Sequence, residues 1–390
     1  MKLRSLDDLD VAGKRVLVRV DFNVPLKDGR VTDDLRIRSA IPTLEALMDR
    51  GATVICCSHL GRPKGKPDPQ YSLKPVAAVL QGLTGKTVRL TSGPAGPPGE
   101  LEDLKPDEIG LLENLRFDPG EEANEDGFAS ELAALADAYV NDAFGAVHRA
   151  HASTAAVAEK LPAAAGLLLH KEVEALSGVL EEPRRPFVVV LGGAKVSDKL
   201  GVVRNVMTKA DTIIIGGAMA NTFLAAQGAE VGNSRIEQDR LDEVRSTLDV
   251  ARNDAVELML PEDLVVAEAF EETAEGRVTE AHRVPAGMMA LDVGPATQER
   301  YAEKIERAGT VLWNGPMGVF EWDNFSHGTK AVARAVAETG AFTVVGGGDS
   351  AAALAAFGLT EKVDHLSTGG GASLELLEGK QLPGLTPLQI

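Results

Sequence analysis

Residues 188–199 read VVVLGGAKVSDK, an apolar run followed by paired glycines and two lysines. The run has the length and β-branching of a buried strand, and the glycines allow a tight turn that another group can approach closely. We expect residues 194–199 to begin a helix, whose free N–H groups and dipole face that group. Lys195 and Lys199 would then share one helix face. The pattern predicts a phosphate site, although a βα turn with surface lysines is an equal alternative for this stretch alone.

The two commonest nucleotide-binding fingerprints are absent. GxxxxGK[ST] occurs nowhere, because Gly85-Lys86-Thr87 has Leu80 where the first glycine is required. GxGxxG is also missing, since the glycine pairs at 346–348 and 369–371 each lack the third glycine. Any phosphate site is therefore of another kind. The same absence disfavours a nicotinamide-dependent dehydrogenase, which would share the fold class.

Length and composition restrict the class of protein. A chain of 390 residues suggests two domains, and 44% hydrophobic with 25% charged residues is typical of a globular protein. The net charge of −18 argues against nucleic-acid and anionic-membrane partners. The start, MKLRSLDDLD, lacks the apolar core of a signal peptide, and the most apolar run, 161–169, is too short to span a bilayer. Cys56 and Cys57 are adjacent, so we expect reduced strand residues in a cytoplasmic protein.

The first half alternates strands with helical patterns. Strands are predicted at 14–20, 53–57, 109–112 and 138–140, and a helix at 34–50. This alternation indicates parallel βαβ units, which bind ligands beyond the carboxyl ends of their strands. That edge carries polar side chains at Arg19, Asp21, Asn23, His59, Arg62, Arg116, His148, Arg149 and His151. Each alone is typical of surface or packing residues. Together they predict a basic pocket for a small anion that carries carboxylate and phosphate.

The second half repeats a strand, a glycine cluster and a helix start. VVVLGGAK at 188–195, TIIIGGAM at 212–219 and TVVGGGDS at 343–350 share this arrangement, and helix 170–182 before them marks a domain boundary. Several glycine turns predict backbone N–H groups around one anionic ligand. Asp349 is suited to a magnesium site completed by ligand phosphates, and Glu321 to a sugar hydroxyl. The alternative is that both acids cap helices.

Eight motifs occur in a characteristic order along the chain. They are RVDFNVP, HLGRP, ENLRF, NDAFG, GGAKVSDK, WNGPMGVFE, GGGDS and STGGGASLELLEGK. In this order they resemble the phosphoglycerate kinase family over the whole chain. The resemblance implies an α/β fold of two Rossmann-like domains, each a parallel sheet flanked by helices, joined by a helical hinge around a deep cleft. It implies a phosphoglycerate-binding domain at 1–170, a linker at 171–186, a nucleotide-binding domain at 187–373 and a returning tail at 374–390.

The resemblance also implies an activity. Members transfer a phosphoryl group between ATP and the carboxylate of 3-phosphoglycerate, with Mg²⁺, giving ADP and 1,3-bisphosphoglycerate after domain closure. The chain is expected to act as a monomer. Both nucleophiles are ionised near neutral pH, so no general base is needed, and positioning with charge stabilisation suffices. The other rival function, a non-catalytic nucleotide-binding protein, would bind ATP but tolerate loss of Arg36.

Site residues follow from the matching motifs. The phosphoglycerate site would comprise Arg19, Asp21, Phe22, Asn23, Arg36, His59, Leu60, Gly61, Arg62, Arg116, His148 and Arg149. The nucleotide site would comprise Gly192, Gly193, Lys195, Lys199, Gly216, Gly217, Asn314, Gly315, Pro316, Glu321, Gly347, Gly348, Asp349 and Ser350. Asp349 would also hold the magnesium ion. The catalytic groups would be Arg36, Lys195, Gly370 and Gly371, the last two through N–H groups at a helix start.

Overall fold

The computed structural model describes residues 1–97, 99–254 and 256–390. By their contacts these residues form a first unit, Met1–Glu174 with Gln381–Ile390, and a second unit, Ala175–Lys380. The first unit contains β1 (Arg15–Arg19), β2 (Leu26–Lys27), β3 (Arg30–Val31), α1 (Leu35–Asp49), β4 (Thr53–Cys57), α2 (Lys74–Thr84), β5 (Val88–Leu90), β6 (Ile109–Leu111), α3 (Pro119–Glu122), α4 (Asp126–Ala133), β7 (Ala138–Asn141), β8 (Ala163–Ala165) and most of α5 (Leu167–Glu181).

The first unit is built on a six-stranded sheet in the order β5-β6-β4-β1-β7-β8. All neighbouring strands are parallel, so their carboxyl ends lie at one edge. Strand β1 is central, and Val16 lies opposite both Val54 and Ala138. Val16, Val18, Val54 and Val140 are fully buried in a core that α1 and α2 cover, which explains why these strands are continuous apolar runs.

The second unit contains β9 (Phe187–Leu191), α6 (Leu200–Met207), β10 (Thr212–Ile215), α7 (Gly217–Ala226), α8 (Leu241–Asn253), β11 (Glu257–Met259), β12 (Asp263–Ala267), β13 (Arg277–Glu280), β14 (Met289–Val293), α9 (Pro295–Glu306), β15 (Thr310–Asn314), α10 (His327–Glu338), β16 (Phe342–Gly346), α11 (Gly348–Ala356), β17 (His365–Leu366) and α12 (Gly371–Leu377). Its parallel six-stranded sheet has the order β11-β10-β9-β15-β16-β17. A three-stranded antiparallel sheet, β13-β12-β14, accompanies it.

The last residues of the chain pack with its beginning. Leu3 forms an antiparallel bridge with Gln389, and the Arg4 amide donates to the Leu388 carbonyl at 2.9 Å. The Gly384 amide donates to the Val147 carbonyl at 2.9 Å. These bonds explain why residues 381–390 belong to the first unit although they follow the second. The contact boundary between the units lies within helix α5, between Glu174 and Ala175.

The α/β class with two parallel sheets flanked by helices is confirmed. The predicted helix at 194–199 is wrong, because α6 begins at Leu200 and the residues before it form a turn. The reason is tertiary: Glu237 accepts the Ser197 amide at 3.0 Å and the Ser197 hydroxyl at 2.6 Å, which fixes this turn. Lys195 and Lys199 therefore do not share a helix face. None of the helices in the described ranges combines the length and apolar character needed to cross a bilayer.

Candidate active site

A cluster of cations lies at the carboxyl ends of β1, β4 and β7 in the first unit. Arg36, in the first turn of α1, donates from Nη1 to Asp21 Oδ2 at 2.7 Å. Asp21 follows β1, and its Oδ1 accepts the Asn23 amide at 3.3 Å. The pair is partly accessible, with 35% of the Arg36 and 12% of the Asp21 side chain exposed. Arg36 therefore keeps N–H donors for a ligand while Asp21 holds its guanidinium in place.

The turn after β4 carries further groups of this cluster. Gly61 has φ of +61°, and a Cβ there would lie 2.4 Å from the Tyr71 ring, so only glycine fits. Its amide donates to Asn23 Oδ1 at 2.9 Å, and its carbonyl accepts Arg116 Nη1 at 2.7 Å. The Arg116 Nε lies 3.2 Å from Glu122 Oε1. Burial lowers the pKa of the Arg116 guanidinium, and Glu122 opposes that shift.

Two arginines of the cluster are exposed to solvent. Arg62 makes no ion pair within the described part of the chain. Arg149 is also exposed and donates from Nε to His148 Nε2 at 3.1 Å. Arg149 has no carboxylate partner among the residues that the structure describes. These guanidinium groups have free donors with the fork geometry that suits phosphate and carboxylate.

Five predicted substrate residues are buried: His59 and Arg116 keep 7% and 5% of their surface exposed, and three others keep 3% or less. Arg19 is 1% exposed, and its guanidinium bonds to protein groups. Phe22 and Leu60 are 0% and 3% exposed and belong to the core of the first unit. Their side chains pack against apolar neighbours because the turns after β1 and β4 need anchors. The burial of Arg19, Phe22 and Leu60 therefore does not support direct contact of these side chains with a substrate.

Glycine turns of the second unit bring three strand ends close together. A Cβ on Gly192 would lie 2.1 Å from the Pro316 carbonyl oxygen, and one on Gly315 would lie 2.3 Å from the Gly192 carbonyl oxygen. Gly217, with φ of +66°, would place a Cβ 2.5 Å from the Gly193 nitrogen. Gly216 is buried against Met317. Gly192, Gly217 and Gly315 need glycine because one backbone passes directly over another.

Lys199 is held inside this glycine layer. It is 8% exposed, and its Nζ donates to the Asn314 carbonyl at 2.8 Å and also to Asn314 Oδ1. Burial lowers the pKa of Lys199 to about 8, and Asp349 and Asp198 oppose that shift. Asn314 Nδ2 is buried and makes no hydrogen bond in the described part of the chain. A buried donor without a partner is costly, and a ligand oxygen would satisfy it.

A cavity of about 500 Å³ lies in the second unit. Gly193, Gly217, Pro316, Glu321 and Asp349 line it. Lys195 is exposed and, within the described ranges, has no ion-pair partner. The Ser350 hydroxyl accepts the Gly315 amide at 2.6 Å, which ties α11 to the turn after β15.

Helix N-termini supply further donors. Gly347, with φ of +92°, precedes α11, whose first turn contains Gly348 and the exposed Asp349. Gly370, with φ of +53°, precedes α12, which begins at Gly371 and has only 7 residues. Within residues 1–97, 99–254 and 256–390, no three His, Cys, Asp or Glu side chains are close enough to hold a metal ion.

Several cavity residues were missed by sequence reasoning. Leu264, Met289 and Leu291 come from the antiparallel sheet, while Arg235 and the 62% exposed Phe270 come from loops. The Phe270 ring lies 4.6 Å from that of Trp322. The one sequence feature that could have indicated these residues is Phe270, a single aromatic residue within a polar stretch (AEAFEETAEG).

Buried acids were missed as well. Asp292 lines the cavity, and its carboxylate accepts the Gly328 and Val293 amides at 2.8 and 2.9 Å. Burial raises the pKa of Asp292 to about 7. In the first unit Glu121 is 0% exposed beside Ser153 and His151. The sequence around these acids contains no pattern that separates them from solvent-exposed carboxylates.

Comparisons with known proteins agree with this architecture. The sequence model described as Phosphoglycerate kinase matches residues 6–380. The chain is 57% identical to the phosphoglycerate kinase of Moorella thermoacetica over 386 residues, covering 98% of each protein. It is 56% identical to that of Rubrobacter xylanophilus, covering 100% of this chain and 98% of the relative. The solved structure of phosphoglycerate kinase from Coxiella burnetii superposes with a TM-score of 0.92 at 44% identity, over 99% of this chain and 98% of that one. The chain belongs to the phosphoglycerate kinase family.

Proposed function

We propose that this chain catalyses the reversible transfer of a phosphoryl group between ATP and the carboxylate of 3-phosphoglycerate, giving ADP and 1,3-bisphosphoglycerate. The observation that chiefly supports the proposal is the division of anion-binding groups between the two units. The first unit contains the arginine and histidine cluster, and the second contains Lys199 and the glycine-lined cavity with Asp349. Direct transfer between two anions requires one such site for each.

The cation cluster is assigned to 3-phosphoglycerate. Asp21 and Asn23 are the acceptors at the end of β1, and they suit the substrate hydroxyl. The exposed guanidinium groups of Arg62 and Arg149, with Arg116 and His59, suit the phosphate that is not transferred. Arg36 is assigned to the reacting carboxylate, because its position against Asp21 is fixed while donors remain accessible.

The glycine-lined cavity is assigned to the nucleotide. Lys199, Lys195 and the amide of Asn314 are the donors for phosphate oxygens. The backbone at Gly192, Gly193, Gly216, Gly217, Gly315, Pro316 and Gly347 to Ser350 is assigned to the nucleotide as well. Glu321, which lines the cavity, is assigned to the ribose.

The residues fit a magnesium ion held mainly by the nucleotide. Asp349 is an exposed carboxylate that lines the cavity and interacts electrostatically with Lys199. One protein carboxylate is what Mg²⁺ bound to a nucleotide usually requires. Bound there, the ion would offset negative charge on the phosphates, and Asp349 would be the carboxylate that holds it.

Catalysis needs no general base in this scheme. The acyl carboxylate and the β-phosphate oxygen are ionised near neutral pH, so the protein has to position them and stabilise a planar phosphoryl group. Arg36, Lys195 and the N–H groups at Gly370 and Gly371 are assigned to that task. Reacting atoms must come within about 3–3.5 Å, so the proposed mechanism includes closure of the two domains during turnover. The proposed enzyme acts as a monomer in the cytoplasm. It has no nucleic-acid or membrane partner.

A coupled assay with MgATP and 3-phosphoglycerate tests the proposal. Arg36→Gln should lower kcat about a hundredfold or more, because a preorganised charge that faces the reacting group is lost. Arg38→Gln is the matched control, since Arg38 lies on the same helix and pairs with Asp34 at the surface. Wild-type protein that binds ATP without turnover would identify a non-catalytic nucleotide-binding protein. If Arg36→Gln were as active as the control Arg38→Gln, Arg36 would have no role in the mechanism.

A further inference from the structure

Glu121 begins a buried chain of hydrogen bonds beneath the cation cluster. It lies in α3 and is 0% exposed. Its Oε2 accepts the Ser153 amide at 2.9 Å, and its Oε1 accepts the Ser153 hydroxyl at 2.6 Å. Burial raises the pKa of the Glu121 carboxyl, and the charge of Arg19 and the hydrogen bonds from Ser153 oppose that shift. In its ionised form the carboxylate only accepts, so the Ser153 hydroxyl proton points toward Glu121.

The chain continues from Ser153 to Arg19. The Ser153 oxygen, whose proton is directed to Glu121, accepts Arg19 Nε at 2.8 Å. Arg19 Nη1 donates to the Val20 carbonyl at 2.5 Å. These two bonds fix the plane of a guanidinium group that is 1% exposed. Glu121 also provides a negative charge near Arg19, which a buried cation requires.

The last link determines which nitrogen of His59 carries its proton. Arg19 Nη2 lies 3.0 Å from His59 Nδ1. A guanidinium has donors and no acceptor, so His59 Nδ1 must be the acceptor and cannot carry a proton. The ring is then neutral, and its proton must be on Nε2.

The surroundings of His59 agree with a neutral ring. Burial lowers the pKa of His59 well below its ordinary value, and Arg19, Arg116, His151 and Arg36 lower it further. His151 Nδ1 lies 3.7 Å from Glu121 Oε1, beyond hydrogen-bonding distance, and its own pKa is lowered to about 4 by burial.

We propose that Glu121 is a positioning residue that acts through Ser153 and Arg19 to hold His59 as its Nε2–H tautomer, a neutral donor to the phosphate of 3-phosphoglycerate. This inference rests on the proposed function for the identity of the ligand. Arg19 accordingly acts through His59 rather than on the substrate. His59 Nε2 makes no hydrogen bond among the residues that the structure describes, and the ring remains 7% exposed.

The tautomer can be measured directly in the unmodified protein. Long-range ¹H–¹⁵N spectra of ¹⁵N-histidine-labelled chain distinguish a protonated ring nitrogen from an unprotonated one, and His59→Gln assigns the His59 signals by their loss. We expect a protonated Nε2 and an unprotonated Nδ1 at pH 7.5 without substrate. An Nδ1–H tautomer or an imidazolium overturns the proposal, whatever the behaviour of the variants.

Ser153→Ala tests the chain of hydrogen bonds. Loss of the hydroxyl should allow Arg19 to move, so the His59 signals should become those of mixed tautomers, and KM for 3-phosphoglycerate should rise roughly tenfold. KM for MgATP should stay within about twofold, because its site lies in the second unit. Ser130→Ala is the matched control, since this hydroxyl donates to the Asp126 carbonyl within α4, at 2.8 Å. Unchanged His59 signals and an unchanged KM in Ser153→Ala overturn the proposal.

Glu121→Gln separates the charge from the hydrogen bonds, with the exposed Glu131→Gln as its control. We expect the same selective rise in KM for 3-phosphoglycerate and an altered His59 tautomer. If Glu121→Gln does not fold, the wild-type spectrum and Ser153→Ala decide the question. Failure of the proposed function can be distinguished from failure of this inference. In the first case wild-type protein would show no turnover of 3-phosphoglycerate, while the ¹H–¹⁵N spectrum would still report the His59 tautomer.

Discussion

Lys199 Nζ donates to both the backbone carbonyl and the side-chain oxygen of Asn314, and the buried Asn314 amide nitrogen has no acceptor among the residues that the structure describes. Lysine has no acceptor, so the carbonyl oxygen of the amide must face Nζ and the NH₂ group must face the other way. That group lies beside Gly347, whose Cβ position would be 3.2 Å from it. Lys199 thus orients the Asn314 side chain so that its NH₂ group faces the glycine turn at Gly347.

Asn314→Asp should therefore impair nucleotide binding. The variant keeps an acceptor for Lys199 but replaces the NH₂ donor by a negative charge that faces phosphate oxygens. We expect the Kd for ADP, measured by calorimetry, to rise about a hundredfold, which corresponds to the loss of a charged hydrogen bond together with repulsion. Asn253→Asp, at the exposed end of α8, is the control. A Kd within about threefold of wild type would show that this amide does not contact the nucleotide.

Lys199 should make nucleotide binding depend on pH. Burial lowers its pKa to about 8 in the free protein, and bound phosphates favour the charged form. Affinity should thus be constant below about pH 7.5 and fall as the pH rises through 8, because binding then requires uptake of a proton. Calorimetry at pH 8 in buffers of different ionisation enthalpy should detect that uptake. Lys199→Arg, which stays charged, should bind without it; proton uptake equal to that of wild type would assign the effect to another group.

Much of the fold could be predicted because its signals are local. The strand at 53–57 was predicted with its observed bounds, and β1, β6 and β7 were predicted to within a residue. Each is an apolar run that ends in polar residues, and parallel topology then brings Asp21, His59 and Arg116 to one sheet edge. The glycine turns at Gly192 and Gly315 were also predictable, since backbone passing over backbone leaves no choice of residue.

The remainder depends on tertiary contacts that no local pattern contains. The start of α6 was predicted six residues too early, because Glu237, 40 positions from Ser197, fixes the turn before it. Arg19 had the same appearance as the other strand-end arginines, although its burial depends on Ser153, 134 residues away. Strands β5 (Val88–Leu90) and β8 (Ala163–Ala165) and the antiparallel sheet were missed. In β8 the reason is composition, since alanine is depleted in strands.

Gly192→Ala tests the close approach of the strand ends. Its Cβ would lie 2.1 Å from the Pro316 carbonyl and 2.8 Å from that of Gly315, so one turn must move. We expect a loss of stability of about 1–3 kcal/mol or more, and loss of nucleotide binding. Gly178→Ala, in the interior of α5 with open space around it, should instead stabilise by about 0.5–1 kcal/mol. Urea unfolding measures both; a tolerated Gly192→Ala would contradict the predicted clash.

Asp142 occupies a buried position at the start of α5. Its Oδ1 accepts the Leu168 and Leu169 amides at 2.9 and 3.1 Å. A Cβ on Gly166 would lie 2.2 Å from the same oxygen. Burial raises the pKa of Asp142 to about 7, and hydrogen bonds from Thr43, Leu169 and Leu168 oppose that shift. The carboxyl group is therefore protonated in the folded protein at a pH where it is ionised in the unfolded chain.

Asp142→Asn should change how stability depends on pH. Because the folded pKa exceeds the unfolded value, the contribution of Asp142 is fully present below about pH 4 and is lost as the pH rises through 7. Asparagine keeps the acceptor for both amides and does not ionise. The difference in unfolding free energy, variant minus wild type, should thus increase by about 1–3 kcal/mol when the pH is raised from 5 to 8. Urea unfolding at both pH values measures it. Asp126→Asn, at an exposed carboxylate, should show no such gain, and an equal gain in both variants would exclude Asp142 as its source.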